Sequence, residues 1–261
     1  MELVALLFWP ALAGYAEAAV AYTGDILRPG RLARFAVWGV RLGWLAQTAL
    51  LLAQAVQTEG FPWATWAGSL NLFVWLVVGS YLVWGCRSPF RLLGFAVMPV
   101  AVALFVVAWA AGGAGAHRAS ELGDLFLAFH VGLVLAAFAG FTLAAGLAAL
   151  YLWQERRLKR RTPGVLRQRA PSQDALDRLT ARTIAVAVPA LTLGLAVGLG
   201  RLGLEGGGFD ALMAVALAVW AAYVVFLVLR FEAGWRGRRT AYLAVSGIVL
   251  VAAALIPVAH F

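Results

Sequence analysis

DLFLAFHVGLVLAAFAGFTLAAGLAALYLWQERRLKRR, Asp124 to Arg161, decides the fold class of this chain. For almost thirty residues it carries one ionisable side chain, His130, and it then stops at a block of Arg and Lys. About 20 apolar residues at 1.5 Å each cross the hydrocarbon core of a bilayer, so the stretch reads as a membrane-spanning helix. The basic block marks a cytoplasmic end, which puts His130 near the opposite, outer end.

Working outward, this segment (124–153) is the fifth of eight apolar runs. The others cover roughly 2–23, 34–56, 64–84, 91–111, 182–200, 209–229 and 240–260. Hydrocarbon offers no hydrogen-bond partners, so each run must satisfy its own backbone as a helix. The expected fold is all-α: a polytopic transmembrane bundle of about eight helices, forming a single integral membrane domain over 1–261. Composition agrees. The chain is 63% hydrophobic with a mean hydropathy of +0.86, against roughly 45–50% apolar residues in soluble domains.

The charges give the orientation. The segments 24–34, 85–91, 154–182 and 230–239 hold 18 of the 21 Lys and Arg. The loops on the other side hold only Arg118 and Arg201, and Arg41 lies inside the second span. Cytoplasmic loops carry the excess of Lys and Arg, so the first set is cytoplasmic and both termini face outward. This describes a multi-pass protein of the cell (plasma or inner) membrane. A net charge of +9 confined to such loops points to anionic lipid and topology rather than to nucleic acid. The single Cys86 excludes an internal disulfide framework, and no CxxCH haem-attachment motif is present. Met1 to Tyr22 lacks the basic n-region of a cleavable signal peptide and is long enough to span.

Several residues stand out within this frame. Glu17 and Arg41 lie in the first two spans, both about 9–10 Å from the inner end, and predict an intramembrane ion pair of structural use. Trp63 and Trp66 enter the third span, where Trp ordinarily anchors the interface; the sharper reading is an aromatic shelf for a flat apolar ligand. His117 lies in a Gly-rich outer loop, the usual place of a merely solvated histidine. The basic loop 154–182 offers a contact for anionic lipid or a cytosolic protein. Within it PSQDALDRLTART suits a short helix running into the sixth span, with Ser172 as its N-cap.

His260 follows the last span. It lies about 27 Å up that helix from Tyr242, and His130 about 36 Å up its own from Gln154. Both therefore belong to the outer third of the membrane. Two imidazoles at one depth suit axial coordination of a haem iron. A Zn²⁺ or Cu site would want further ligands, of which His117 is the one candidate. Two unrelated interfacial histidines would look the same, and spacing does not say whether the fifth and eighth spans are neighbours.

Four stretches carry a resemblance: FHVGLVLAAFAGFTLAAGLAALYLWQERRLKRR (Phe129–Arg161), LDRLTARTIAVAVPALTLGLAVG (Leu176–Gly198), GWRGRRTAYLAVSG (Gly234–Gly247) and the terminal His260. FPWATWAGSLNLFVWL (Phe61–Leu76) adds a weaker one. In order and spacing they resemble the cytochrome c assembly family of membrane proteins, in particular its HemX-like, CcsA-related members. The resemblance implies haem handling at the outer face, with His130 and His260 as the two axial ligands of a non-covalently bound b-type haem. It also implies a departure. Haem-handling members carry a Trp-rich WGxxWxWD segment between these positions, whereas RLGLEGGGFDALM, Arg201–Met213, holds no Trp, and Asp210 is the one remnant. The resemblance therefore supports haem ligation, with Trp63, Trp66 and Trp109 as substitute contacts, but not full synthase activity.

Three functions follow as expectations. The first is a haem-binding protein of cytochrome c biogenesis, working with other assembly proteins and using no side chain as a catalyst. The second is a membrane regulator or scaffold whose basic loop engages a cytosolic enzyme of haem synthesis. The third is a haem or small-molecule transporter, with Glu17 and Arg41 marking its path.

Overall fold

The computed structural model describes residues 2–27, 32–57, 65–84, 91–112, 125–160, 171–205 and 211–258. All eight expected helices are present: α1 (Glu2–Leu27), α2 (Ala33–Gln57), α3 (Trp66–Trp84), α4 (Arg91–Ala110), α5 (Leu125–Lys159), α6 (Gln173–Glu205), α7 (Ala211–Phe231) and α8 (Arg238–Val258). No strand occurs among the described residues. Among the described residues, seven helices are long and apolar enough to cross a membrane. The chain is a multi-pass helical membrane protein.

The helices group into two compact units, α1–α4 and α5–α8. Each unit uses the same principal pairings. Its first helix lies along its second and also against its fourth; its third helix touches its second and fourth. Hydropathy cannot show this, because it measures how apolar a helix is and not which neighbour it meets.

In the first unit, small residues bring α1 and α2 together. A Cβ added at Gly14 would stand 2.7 Å from the Gly43 nitrogen and 2.9 Å from the Gly39 carbonyl oxygen. Lipid gives apolar helices no solvent-driven reason to associate, so such close backbone packing is a main source of their attraction. Polar side chains add to it. The Tyr15 hydroxyl donates to Gln47 Oε1, and Gln47 Nε2 donates to Asn71 Oδ1 at 2.7 Å and to the Asn71 carbonyl at 3.0 Å. Trp44 and Trp75 stack with centroids 5.0 Å apart, and the Trp75 indole donates to Thr48 Oγ1 at 2.7 Å.

The second unit buries a helical stripe of α5: Ala137, Phe141, Ala144, Ala148 and Leu152. Steps of three and four place these residues on one face. Phe141 stacks on Tyr223 of α7, centroids 3.9 Å apart and rings 4° from parallel. At the basic end a polar clasp joins three elements. Asp177 of α6 pairs with Arg230 of α7 at 2.7 Å and accepts from the Gly237 amide and the Thr240 hydroxyl. Arg230 also donates to the Trp235 carbonyl. The intervening turn needs the left-handed conformation at Gly234 (φ +67°) and Gly237 (φ +72°), which suits glycine. Ser172 caps α6 as the sequence suggests: the Ala175 amide donates to its hydroxyl at 3.2 Å. The predicted short helix and the sixth span are one continuous helix, which runs through Pro189.

Candidate functional site

His130 lies early in α5 and is half-buried. Its Nδ1 is 2.7 Å from the carbonyl oxygen of Gly194 on α6. A carbonyl can only accept, so Nδ1 carries the proton and donates. In the neutral ring this leaves Nε2 with its lone pair free. Nε2 has no hydrogen-bond partner among the described residues. The state is that of many metal-bound histidines, in which the non-ligating N–H is tied to a carbonyl or carboxylate.

The helix that leads to His260 is a neighbour of α5. The two run antiparallel. At their basic ends Glu155 faces Arg238 at 3.9 Å, and Tyr151 crowds Gly237. The start of α5 and the end of α8 therefore lie at the same end of this unit. His260 itself lies outside the described residues, as do His117 and Trp63.

The remaining candidates fall in the first unit. Trp66 is exposed at the start of α3. Trp109 is half-buried near the end of α4, and one of its faces is covered by Phe8, with centroids 3.9 Å apart and rings 20° from parallel. That face is taken by α1.

The expected Glu17–Arg41 pair is not formed. Both side chains are exposed, and no ion pair joins them among the described residues. Arg41 instead lies over the Trp38 ring, 5.5 Å from its centroid. The reason is azimuth. Gly14, Tyr15 and Ala18 fill the α1 face turned to α2, and Gly39, Val40 and Gly43 fill the answering face. Glu17 and Arg41 share a depth but stand outside both faces.

Sequence reasoning misses Gly194 and Gly198 as parts of the histidine's surroundings. A signal is present, since GLAVG has the spacing of close helix packing, but it does not say what packs there. The Tyr15–Gln47–Asn71 network is missed as well, because lone polar residues in an apolar run do not announce their partners. Among the described residues no three His, Cys, Asp or Glu side chains converge as a metal site would require.

The fold is that of a multi-pass helical membrane protein, with a half-buried histidine whose Nδ1 meets a helix carbonyl. The chain belongs to the cytochrome c assembly protein family, whose model matches residues 63–258. Among curated relatives, Protein HemX of Brevibacillus brevis is 28% identical over 231 residues, covering 84% of this chain and 82% of the relative. Cytochrome c biogenesis protein CcsA of Gloeothece citriformis is 24% identical over 264 residues, covering 82% and 80%. Its counterpart in Prochlorococcus marinus (strain MIT 9303) is 27% identical over 244 residues, covering 81% and 77%. Membership of the family places the work of this chain in cytochrome c assembly.

Proposed function

We propose that this protein takes up haem at the outer face of the membrane and presents it for cytochrome c assembly, with His130 and His260 as axial ligands. The observation that carries the reading is the Nδ1–Gly194 hydrogen bond, which leaves Nε2 of His130 available. The antiparallel pairing of α5 and α8 supports it, because it brings the helix ends bearing the two histidines to one end of the unit. Neutral imidazole suits haem iron, and the donor set fits the group. Bound haem would supply a low-spin iron and is cargo here. The side chains hold and orient it, and no bond to the porphyrin is made or broken by them.

Absorption spectra of the detergent-purified protein before and after dithionite, with a pyridine haemochrome assay, test the reading. It predicts sharp reduced α and β bands and about one b-type haem per chain, the count expected for one pair of axial ligands. A colourless protein that also fails to take up added haem would contradict it.

A second reading has its own observation. The basic end of the second unit carries exposed Arg156, Lys159, Arg160, Arg236, Arg238 and Arg239, a surface suited to an acidic partner on the cytoplasmic side. The partner-binding alternative is a membrane regulator or scaffold of haem synthesis acting through this basic surface. The same residues would meet anionic lipid. The transporter reading loses its argument with the Glu17–Arg41 pair.

A further inference from the structure

Gly194 and Gly198 are one turn apart on α6, and both face α5: Gly194 meets Val134 and Leu133, and Gly198 meets His130 alone. A Cβ at Gly198 would stand 2.6 Å from Cε1, 2.9 Å from Nδ1 and 3.5 Å from Nε2 of His130. A Cβ at Gly194 would stand 2.9 Å from Cγ2 of Val134, the residue one turn beyond His130. The imidazole thus lies on the bare backbone of Gly198. Glycines close by have no such role: a Cβ at Gly200 or at Gly132 would meet nothing within 4 Å.

The first unit shows what the same spacing does elsewhere. Gly39 and Gly43 of α2 are also four apart, and there the backbone of α1 comes up against Gly39 while the Tyr15 ring fills the space at Gly43. In α6 the room left by the missing Cβ at Gly198 is filled by an imidazole. The hydrogen bond explains why. A helical carbonyl points along the axis toward the residue four positions on, and side chains lean back over the preceding turn. Any side chain at position 198 would cover the Gly194 carbonyl. That oxygen already accepts the helical bond, and its second lone pair is what Nδ1–H reaches.

We propose that Gly198, together with the Gly194 carbonyl, is a positioning seat for His130: it holds the ring in the Nδ1–H tautomer and so keeps Nε2 free for iron. The proposal rests on His130 being a haem ligand, but it makes a claim about the haem-free protein as well. Partners of a metal-bound histidine typically change affinity 10–100-fold when lost.

The test uses full-length protein labelled with ¹⁵N-histidine, in detergent and without haem. The His130 signals are assigned by their loss in His130→Ala. In the wild type the expected result is a protonated Nδ1 and an unprotonated Nε2. Gly198→Ala should abolish that tautomer signature and weaken haem uptake by roughly tenfold or more. Gly200→Ala, on the same helix, should change neither. A protonated Nε2 in the wild type would overturn the proposal whatever any variant does. So would a Gly198→Ala protein that keeps the signature and the wild-type haem titration. The two failures separate cleanly. If His130→Ala binds haem with an unchanged spectrum, the ligand assignment falls; if it loses haem while Gly198→Ala does not, only the seat falls.

Discussion

Asp177 and Arg230 form an ion pair of 2.7 Å at the basic end of the second unit, with side chains about nine-tenths buried. Removing one partner from such a pair strands the other charge, at a typical cost of about 3–5 kcal/mol. Asp177→Ala also removes the acceptor of the Gly237 amide, whereas the Thr240 hydroxyl keeps the Gly237 carbonyl at 2.8 Å. Thermal unfolding in detergent should therefore show a large loss for Asp177→Ala. Asp177→Ala/Arg230→Met should recover part of it. Additive losses in the double variant would show that the two residues are not coupled.

Gln47 joins three helices through hydrogen bonds to Tyr15 and Asn71. Gln47→Leu keeps much of the volume but leaves buried polar groups without partners, each costing about 1–3 kcal/mol. Tyr15→Phe removes one bond only. Such bonds within a bilayer average about 0.6 kcal/mol, because the loosened state finds other partners. Stability should fall clearly for Gln47→Leu and slightly for Tyr15→Phe. Equal effects would mean that Gln47 matters only through Tyr15.

Two Gly→Ala changes should differ in sign. Ala is favoured over Gly in a helix by about 0.8–1.0 kcal/mol. At Gly132 the new methyl meets nothing within 4 Å, so Gly132→Ala should be neutral or stabilising. At Gly14 it would meet the α2 backbone at 2.7 Å, so Gly14→Ala must push the helices apart and destabilise. Melting temperatures of the two variants check this directly.

Neutralising Arg156, Lys159, Arg238 and Arg239 separates the two functional readings. If haem handling is the function, cytochrome c assembly persists when orientation is preserved; if a cytosolic partner is engaged, function is lost with haem binding intact. Topology reporters belong in the same experiment, because these charges also bear on orientation.

The spans are legible in the sequence because lipid imposes one backbone solution and one length scale, and the cap at Ser172 is legible because its chemistry is local. Depth along a helix can be counted residue by residue, as for His130. Azimuth cannot, and that is why Glu17 and Arg41 share a level without meeting. Nor does any short motif state that α5 pairs with α6 and α8, so neither the Gly194 carbonyl beside His130 nor the Asp177–Arg230 clasp could be anticipated. The shared pairing scheme of the two units is likewise invisible in the residues, since it needs the same contacts but not the same side chains.

The most direct test of the central claim is the Soret band of purified His130→Ala, His260→Ala and His117→Ala beside the wild type. The account predicts that the first two each lose the low-spin spectrum and that His117→Ala keeps it. An intact spectrum in both His130→Ala and His260→Ala would contradict it.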